Sequence, residues 1–177
     1  MNRRLLVIMA TIAIFHVAPA CNHPKTQPTK SRPTTLGNIL IGEGASDYLV
    51  SGFGGLEPNS EAPDAFRWSV GTQSEILVTL EKQTAYTLDL TILGIPNPHK
   101  TDQIMEVYLN RSLLSKIVVT PNQYKDYSLT LPKDRVLEDN SIVFKYTYAI
   151  SPKSEGGSTD DRQLAVRFRK ISFTKAQ

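Results

Sequence analysis

The chain predicts an all-β fold, an antiparallel β-sandwich of eight or nine short strands with little helix. Three observations carry this. From Asn38 onward the apolar residues recur with period 2 rather than 3.6. The runs are rich in β-branched and aromatic residues and stand roughly 10–20 residues apart. Gly, Pro, Asn and Ser clusters separate them, and no amphipathic helical stretch competes.

Taken in order, the expected strands are 47–52, 67–71, 74–81, 85–93, 103–110, 116–120, 125–131, 141–150 and 163–174. The clearest is 85–93, where Tyr86, Leu88, Leu90 and Ile92 alternate with Thr87, Asp89 and Thr91, as a half-buried strand requires. In 163–174 the apolar face is Leu164, Val166, Phe168, Ile171 and Phe173, and its parity slips after Phe168. That slip predicts a bulge near Arg169 and Lys170. Turn chemistry falls at Gly54-Gly55, at 94–98 with Pro96 and Pro98, at Thr120-Pro121-Asn122, and at 151–157 with Gly156-Gly157. One short helical turn is expected at 133–138, behind Pro132.

Ahead of the sandwich lie two segments of different composition. Residues 1–20 carry Arg3 and Arg4, then an apolar stretch over 5–17 broken only by Thr11 and His16. It is shorter than the roughly 20 residues that span a bilayer and reads as a cleaved export signal. Ala18-Pro19-Ala20-Cys21 follows, with the only cysteine of the chain. This resembles a bacterial lipoprotein signal, which implies acylation of Cys21, a membrane anchor and an exported, cell-envelope address. Asn22 after the cysteine then implies the outer membrane in a Gram-negative host. Ala18 stands where such signals usually have Leu, and Ala18-Pro19-Ala20 also fits the ordinary cleavage rule, which would release a soluble periplasmic or secreted protein. Residues 21–37 read as a solvated linker after the cysteine: 22–35 hold three prolines, four threonines and no aliphatic side chain. The sandwich domain is then 38–177.

Composition excludes several classes. Of 20 Lys+Arg and 17 Asp+Glu, Arg3 and Arg4 leave with the signal, so 18 stand against 17. That balance gives no electrostatic footprint for nucleic acid. With no cysteine after Cys21, disulfides, thiolate catalysis and cysteine-rich metal sites are excluded from the domain. A hydrolase is poorly supported, because His23 sits in the linker, His99 in a proline-flanked loop, and no Gly-x-Ser-x-Gly occurs. Glu57 with Asp64 is a carboxylate pair by type only. The protein is therefore expected not to be an enzyme.

Some residues invite a binding role. Glu57, Arg67 and Trp68 could act together, the indole stacking on a sugar ring while the carboxylate and guanidinium bond its hydroxyls. The competing reading, favoured here because the single tryptophan lies inside a strand, puts Trp68 in the core and pairs Arg67 with Glu57. Loop 151–162, with Glu155, Asp160 and Asp161, could coordinate Ca²⁺, but it lacks EF-hand spacing and reads as a solvated loop, so no cofactor is expected. Tyr146 shares parity with Phe144 and is expected in the core, with Tyr148 beside it. Asn110-Arg111-Ser112 matches a glycosylation sequon at chance level.

The order of signals resembles a bacterial jelly-roll module with the look of a carbohydrate-binding domain. The matching residues are Gly52-Phe53-Gly54-Gly55-Leu56-Glu57, Phe66-Arg67-Trp68-Ser69, the aliphatic strand with Ile76, Leu77, Val78 and Leu80, and the alternating strand before Ile95-Pro96. Val107-Tyr108-Leu109-Asn110-Arg111 stands at the module's V-x-V-N-G hairpin, with Arg111 in place of Gly, so a different turn type is expected. Arg162 to Phe173 matches its final strand. The resemblance spans most of 45–175. It implies a non-catalytic envelope protein that recognises a glycan or a polysaccharide-handling complex. The alternative is a structural or assembly protein that docks an envelope partner through a sheet edge or face, with no glycan site.

Overall fold

A computed structural model of the chain describes the backbone of 37–40 and residues 48–57, 65–98 and 101–176. All of them belong to the unit Arg32–Gln177. The signal segment, Cys21, His23, Asp64 and His99 lie outside the described residues.

Ten strands form two five-stranded sheets. They are β1 (Gly37–Leu40), β2 (Leu49–Ser51), β3 (Arg67–Val70), β4 (Gln73–Thr79), β5 (Tyr86–Gly94), β6 (Gln103–Leu109), β7 (Ser112–Val119), β8 (Lys125–Leu131), β9 (Asp139–Tyr146) and β10 (Leu164–Lys175). One sheet runs β1-β10-β5-β8, with β3 also paired to β10; the other runs β2-β4-β9-β6-β7. Every pairing of these strands is antiparallel. The predicted fold class is the observed one.

The core lies between the inward faces. Tyr86, Leu88, Leu90 and Ile92 of β5, Met105, Val107 and Leu109 of β6, and Ile142 and Phe144 of β9 are all at most 1% exposed. Phe168 of β10 centres this layer, with ring centroids 5.5 Å from Phe53 and 5.3 Å from Phe144. Period 2 thus reports burial faithfully, because successive strand side chains point to opposite faces. The expected bulge is present: the β10–β5 register shifts between Phe168 and Lys170. The extra residue returns Ile171 and Phe173 to the core.

The differences have local causes. β1 was not expected, because four residues are too few to show a period; its pairing with β10 defines it. β7 begins at Ser112 rather than 116, since β6 pairs with it directly after a two-residue turn. β9 stops at Tyr146 rather than 150, and the helical turn shrinks to one 3₁₀ turn, Lys133–Arg135.

The β6–β7 turn corrects an expectation. Asn110 and Arg111 both have positive φ, 50° and 71°. Left-handed backbone at both central positions is the type I′ pattern that Asn-Gly would adopt. Arg111 therefore changes the residue, not the turn type. The Asn110 amide donates to the Arg135 carbonyl (3.0 Å) and to Asn140 Oδ1 (2.9 Å), so the sequon amide is engaged in the fold.

Candidate functional site

In β3, Ser69 is fully buried while Trp68 is half-buried. The Ser69 hydroxyl donates to the Val166 carbonyl at 3.1 Å and accepts from the Val166 amide at 2.8 Å. Ser74 hydrogen-bonds the Tyr146 phenol beside it, and burial pushes that phenol well above its ordinary pKa. Tyr146 is in the core as expected. The inward position of β3 thus belongs to a small buried polar cluster, and strand parity turns Trp68 to the outer face. Trp68 is not a core residue: the expected interior placement is overturned.

Outside the sheet, Trp68 pairs with Arg167 of β10, which pairs on its other side with Leu93 of β5. Arg167 lies between Val166 and Phe168, both core residues, so it shares the outer face with Trp68. These three residues form one wall of a groove of about 650 Å³. Ile95, Pro96, Asn97 and Pro98 after β5, Asn122 after β7, and Ile150, Pro152, Glu155, Gly157 and Ser158 between β9 and β10 complete it.

Backbone hydrogen bonds hold these loops in place. Gly94 donates to the Thr120 carbonyl (2.9 Å) and accepts from the Asn122 amide (3.3 Å). Val119's carbonyl oxygen would lie 3.3 Å from a Cβ at Gly94, a close approach that suits glycine. Ile95 donates to the Ala165 carbonyl (2.9 Å), and Ile150 exchanges two bonds with Leu164. Within the long loop, the Lys153 amide and the Ser151 hydroxyl both reach the Asp160 carbonyl.

A second hollow of about 300 Å³ adjoins the first and shares Asn97, Ile150 and Glu155 with it. Tyr148, expected in the core beside Tyr146, lies beyond the end of β9 and instead lines this hollow, half-buried, with its hydroxyl donating to the Ile95 carbonyl at 3.1 Å. The buried Gln103 amide clamps the Tyr148 backbone from below.

The structure does not bring Glu57, Arg67 and Trp68 together. Glu57 pairs with Arg162 at 2.7 Å, not with Arg67. Arg162 is also held by Asp160 through its Nε and Nη2. The Arg162 guanidinium beside Asp160 holds that carboxyl below the usual carboxylate range. Arg67 instead donates to the Gly54 carbonyl at 3.0 Å. Gly52 makes this loop possible, because at φ 71° a Cβ would meet the Gln73 carbonyl oxygen at 2.0 Å. These groups brace the groove's long loop against residues 53–57. With Asp160 committed to Arg162, the loop's acids do not converge, and no cluster of three metal-capable side chains occurs among the described residues.

Arg167 is the residue that sequence reasoning missed. Its guanidinium carbon lies 3.3 Å from the Phe66 ring centroid, 5.5 Å from Tyr124 and 5.9 Å from Trp68. The signal was available, since Arg167 interrupts an apolar run at the outward parity of β10.

The other sheet's outer face carries an ion-paired cluster beside exposed Ile104 and Val118. Glu106 binds Lys116 (2.6 Å) and the Tyr108 hydroxyl (2.7 Å), and Lys145 covers the Tyr108 ring. Its edge strand β7 carries exposed Leu113 and Val118, together with Lys116 and a register shift near Leu114.

No protein-family model matches the chain, and no curated protein matches it. Solved structures with a similar fold include the C-terminal family 6 carbohydrate-binding module of a marine laminarinase from Zobellia galactanivorans: 13% identity, TM-score 0.47, covering 74% of this chain and 95% of that one. A family 6 module from Clostridium stercorarium, in complex with cellobiose, gives 11% identity and TM-score 0.45 over 78% and 93%. A family 35 carbohydrate-binding module from Clostridium thermocellum gives 11% and 0.44 over 75% and 95%. At these TM-scores the likeness assigns no ligand to this chain. The observed architecture by itself places it among antiparallel β-sandwiches.

Proposed function

We propose that the domain is a non-catalytic glycan-recognition module whose site is the groove at Trp68. The observation that carries this is a half-exposed indole in the groove wall, flanked by the donors of Arg167 and Asn122 and the acceptor of Glu155. An aromatic face takes the apolar side of a sugar ring, and mixed donors and acceptors take its hydroxyls. The smaller hollow past Asn97 and Glu155 extends the groove enough for a second sugar unit. The sequence resemblance points the same way. Acylation at Cys21 would hold the module at the cell envelope, by the outer membrane in a Gram-negative host, where glycans or a polysaccharide-handling complex are at hand.

The assembly-protein reading finds support in Leu113 and Val118, exposed on the edge strand β7. Lys116 and the bulge on that strand are devices that hinder strand addition, so glycan recognition is preferred.

The test is a glycan array probed with the purified full chain and with Trp68→Ala. A saturable hit lost in the variant, with its melting curve still cooperative, supports the reading. A folded wild type that binds no glycan rules it out and leaves docking through β7 to be sought by crosslinking.

A further inference from the structure

We infer that Arg167 reads an acidic group on the bound sugar, so that the ligand is an anionic glycan. This rests on the glycan reading above and narrows its substrate class. Among the described residues Arg167 makes no ion pair; its guanidinium lies against the rings of Phe66, Tyr124 and Trp68 and interacts with the Tyr124 phenol. Its Nε is buried without a hydrogen-bond partner, as are those of Arg67 and Arg169, so what sets Arg167 apart is its place in the groove wall. Burial raises the Tyr124 phenol's pKa, while the guanidiniums of Arg167 and Arg169 pull it the other way.

Other arginines of the domain show what a structural guanidinium looks like here. Arg162 is filled by Asp160 and Glu57, and Arg67 is tied to the Gly54 carbonyl. At 3.3 Å from the Phe66 centroid, the Arg167 guanidinium is stacked face-on. Stacking uses the π-faces and leaves the two Nη groups, not the buried Nε, as the forked pair that could fit a carboxylate or sulfate. The rings fix this fork in place, so little side-chain entropy is lost when an anion arrives. Arg169, two residues on along β10, lies 3.9 Å from the Tyr124 centroid, against the same ring. The groove's only carboxylate among the described residues is Glu155, on the exposed loop at its rim.

The experiment titrates the full chain with polygalacturonate, alginate and hyaluronate, and with each polymer after reduction of its carboxylates to alcohols. A sulfated galactan provides the sulfate arm. The expected result is an acidic polymer bound about tenfold or more tighter than its reduced form, a preference that Arg167→Gln abolishes by weakening the acidic polymer far more than the reduced form. Arg167→Lys, which keeps the charge but not the fork, should retain only part of it, and melting curves confirm that both variants fold. A preference for the sulfated galactan with the same dependence on Arg167 would identify sulfate as the acidic group. Equal binding of acidic and reduced polymers, or a preference that survives Arg167→Gln, overturns this inference and leaves neutral glycan recognition standing. Binding to none of these polymers and to no array glycan overturns both.

Discussion

Replacing Arg111 by glycine should make the domain more stable, although it removes a whole side chain. Arg111 is exposed and holds φ 71° directly after Asn110 at 50°. Left-handed backbone costs a residue with a Cβ about 1–2 kcal/mol. Glycine removes that strain but adds freedom to the unfolded chain, which takes back about 0.4–1 kcal/mol. The net gain is about 0.5–1 kcal/mol. For a domain of about 140 residues this raises Tm by roughly 2–4 °C. Arg111→Asn should fall between the two, because asparagine tolerates the left-handed region better than arginine. Differential scanning calorimetry of the three proteins is the assay. A Tm that falls, or that moves by less than about 1 °C for both variants, would refute the type I′ assignment and the strain argument with it.

Other perturbations test the core, the loop brace and the anchor. Phe168→Ala removes the ring that joins Phe53 to Phe144 and should cost about 3–5 kcal/mol in chemical denaturation; a loss under about 1 kcal/mol would contradict its central place. Asp160 has a depressed pKa because Arg162 bonds its charged form, so its contribution is complete above the ordinary aspartate range and is lost as pH falls through the folded value. Limited proteolysis within 151–162 should therefore increase in acid, below about pH 4, and Arg162→Met should be cut readily at neutral pH. Cutting that is independent of both pH and Arg162 would show that the brace is idle. Cys21→Ser should abolish fatty-acid labelling and leave an unprocessed or soluble product. A fully processed mutant that stays on the membrane would sink the lipid-anchor proposal.

The fold was legible because one physical signal, period-2 burial, is written directly into strand sequences. Tyr86 to Ile92 could be read residue by residue, and even the bulge in β10 appeared as a parity slip before Ile171. What escaped was set by pairing rather than by composition. β1 exists because β10 offers it an edge, and β7 starts early because a two-residue turn folds it straight back on β6. Arg111 misled for a related reason: turn type follows the register of the flanking strands, and those strands impose left-handed backbone on whichever residue lies there.

The site was only half legible, and the missing half is instructive. Trp68, Arg67 and Glu57 drew attention as residue types, but which way each points depends on what lies beneath β3. Ser69, an unremarkable residue in the sequence, decides it. Its hydroxyl takes both polar groups of Val166 at the inward position, so Trp68 turns outward and meets Arg167 across the strand pair. A serine that is fully buried next to a half-exposed tryptophan reverses the usual ranking of the two residue types. The core accepts the small polar group because Val166 satisfies its hydrogen bonds. Paired across β3 and β10, the half-buried indole and the Arg167 guanidinium share one stretch of outer surface, and that pairing is what residue types alone did not reveal.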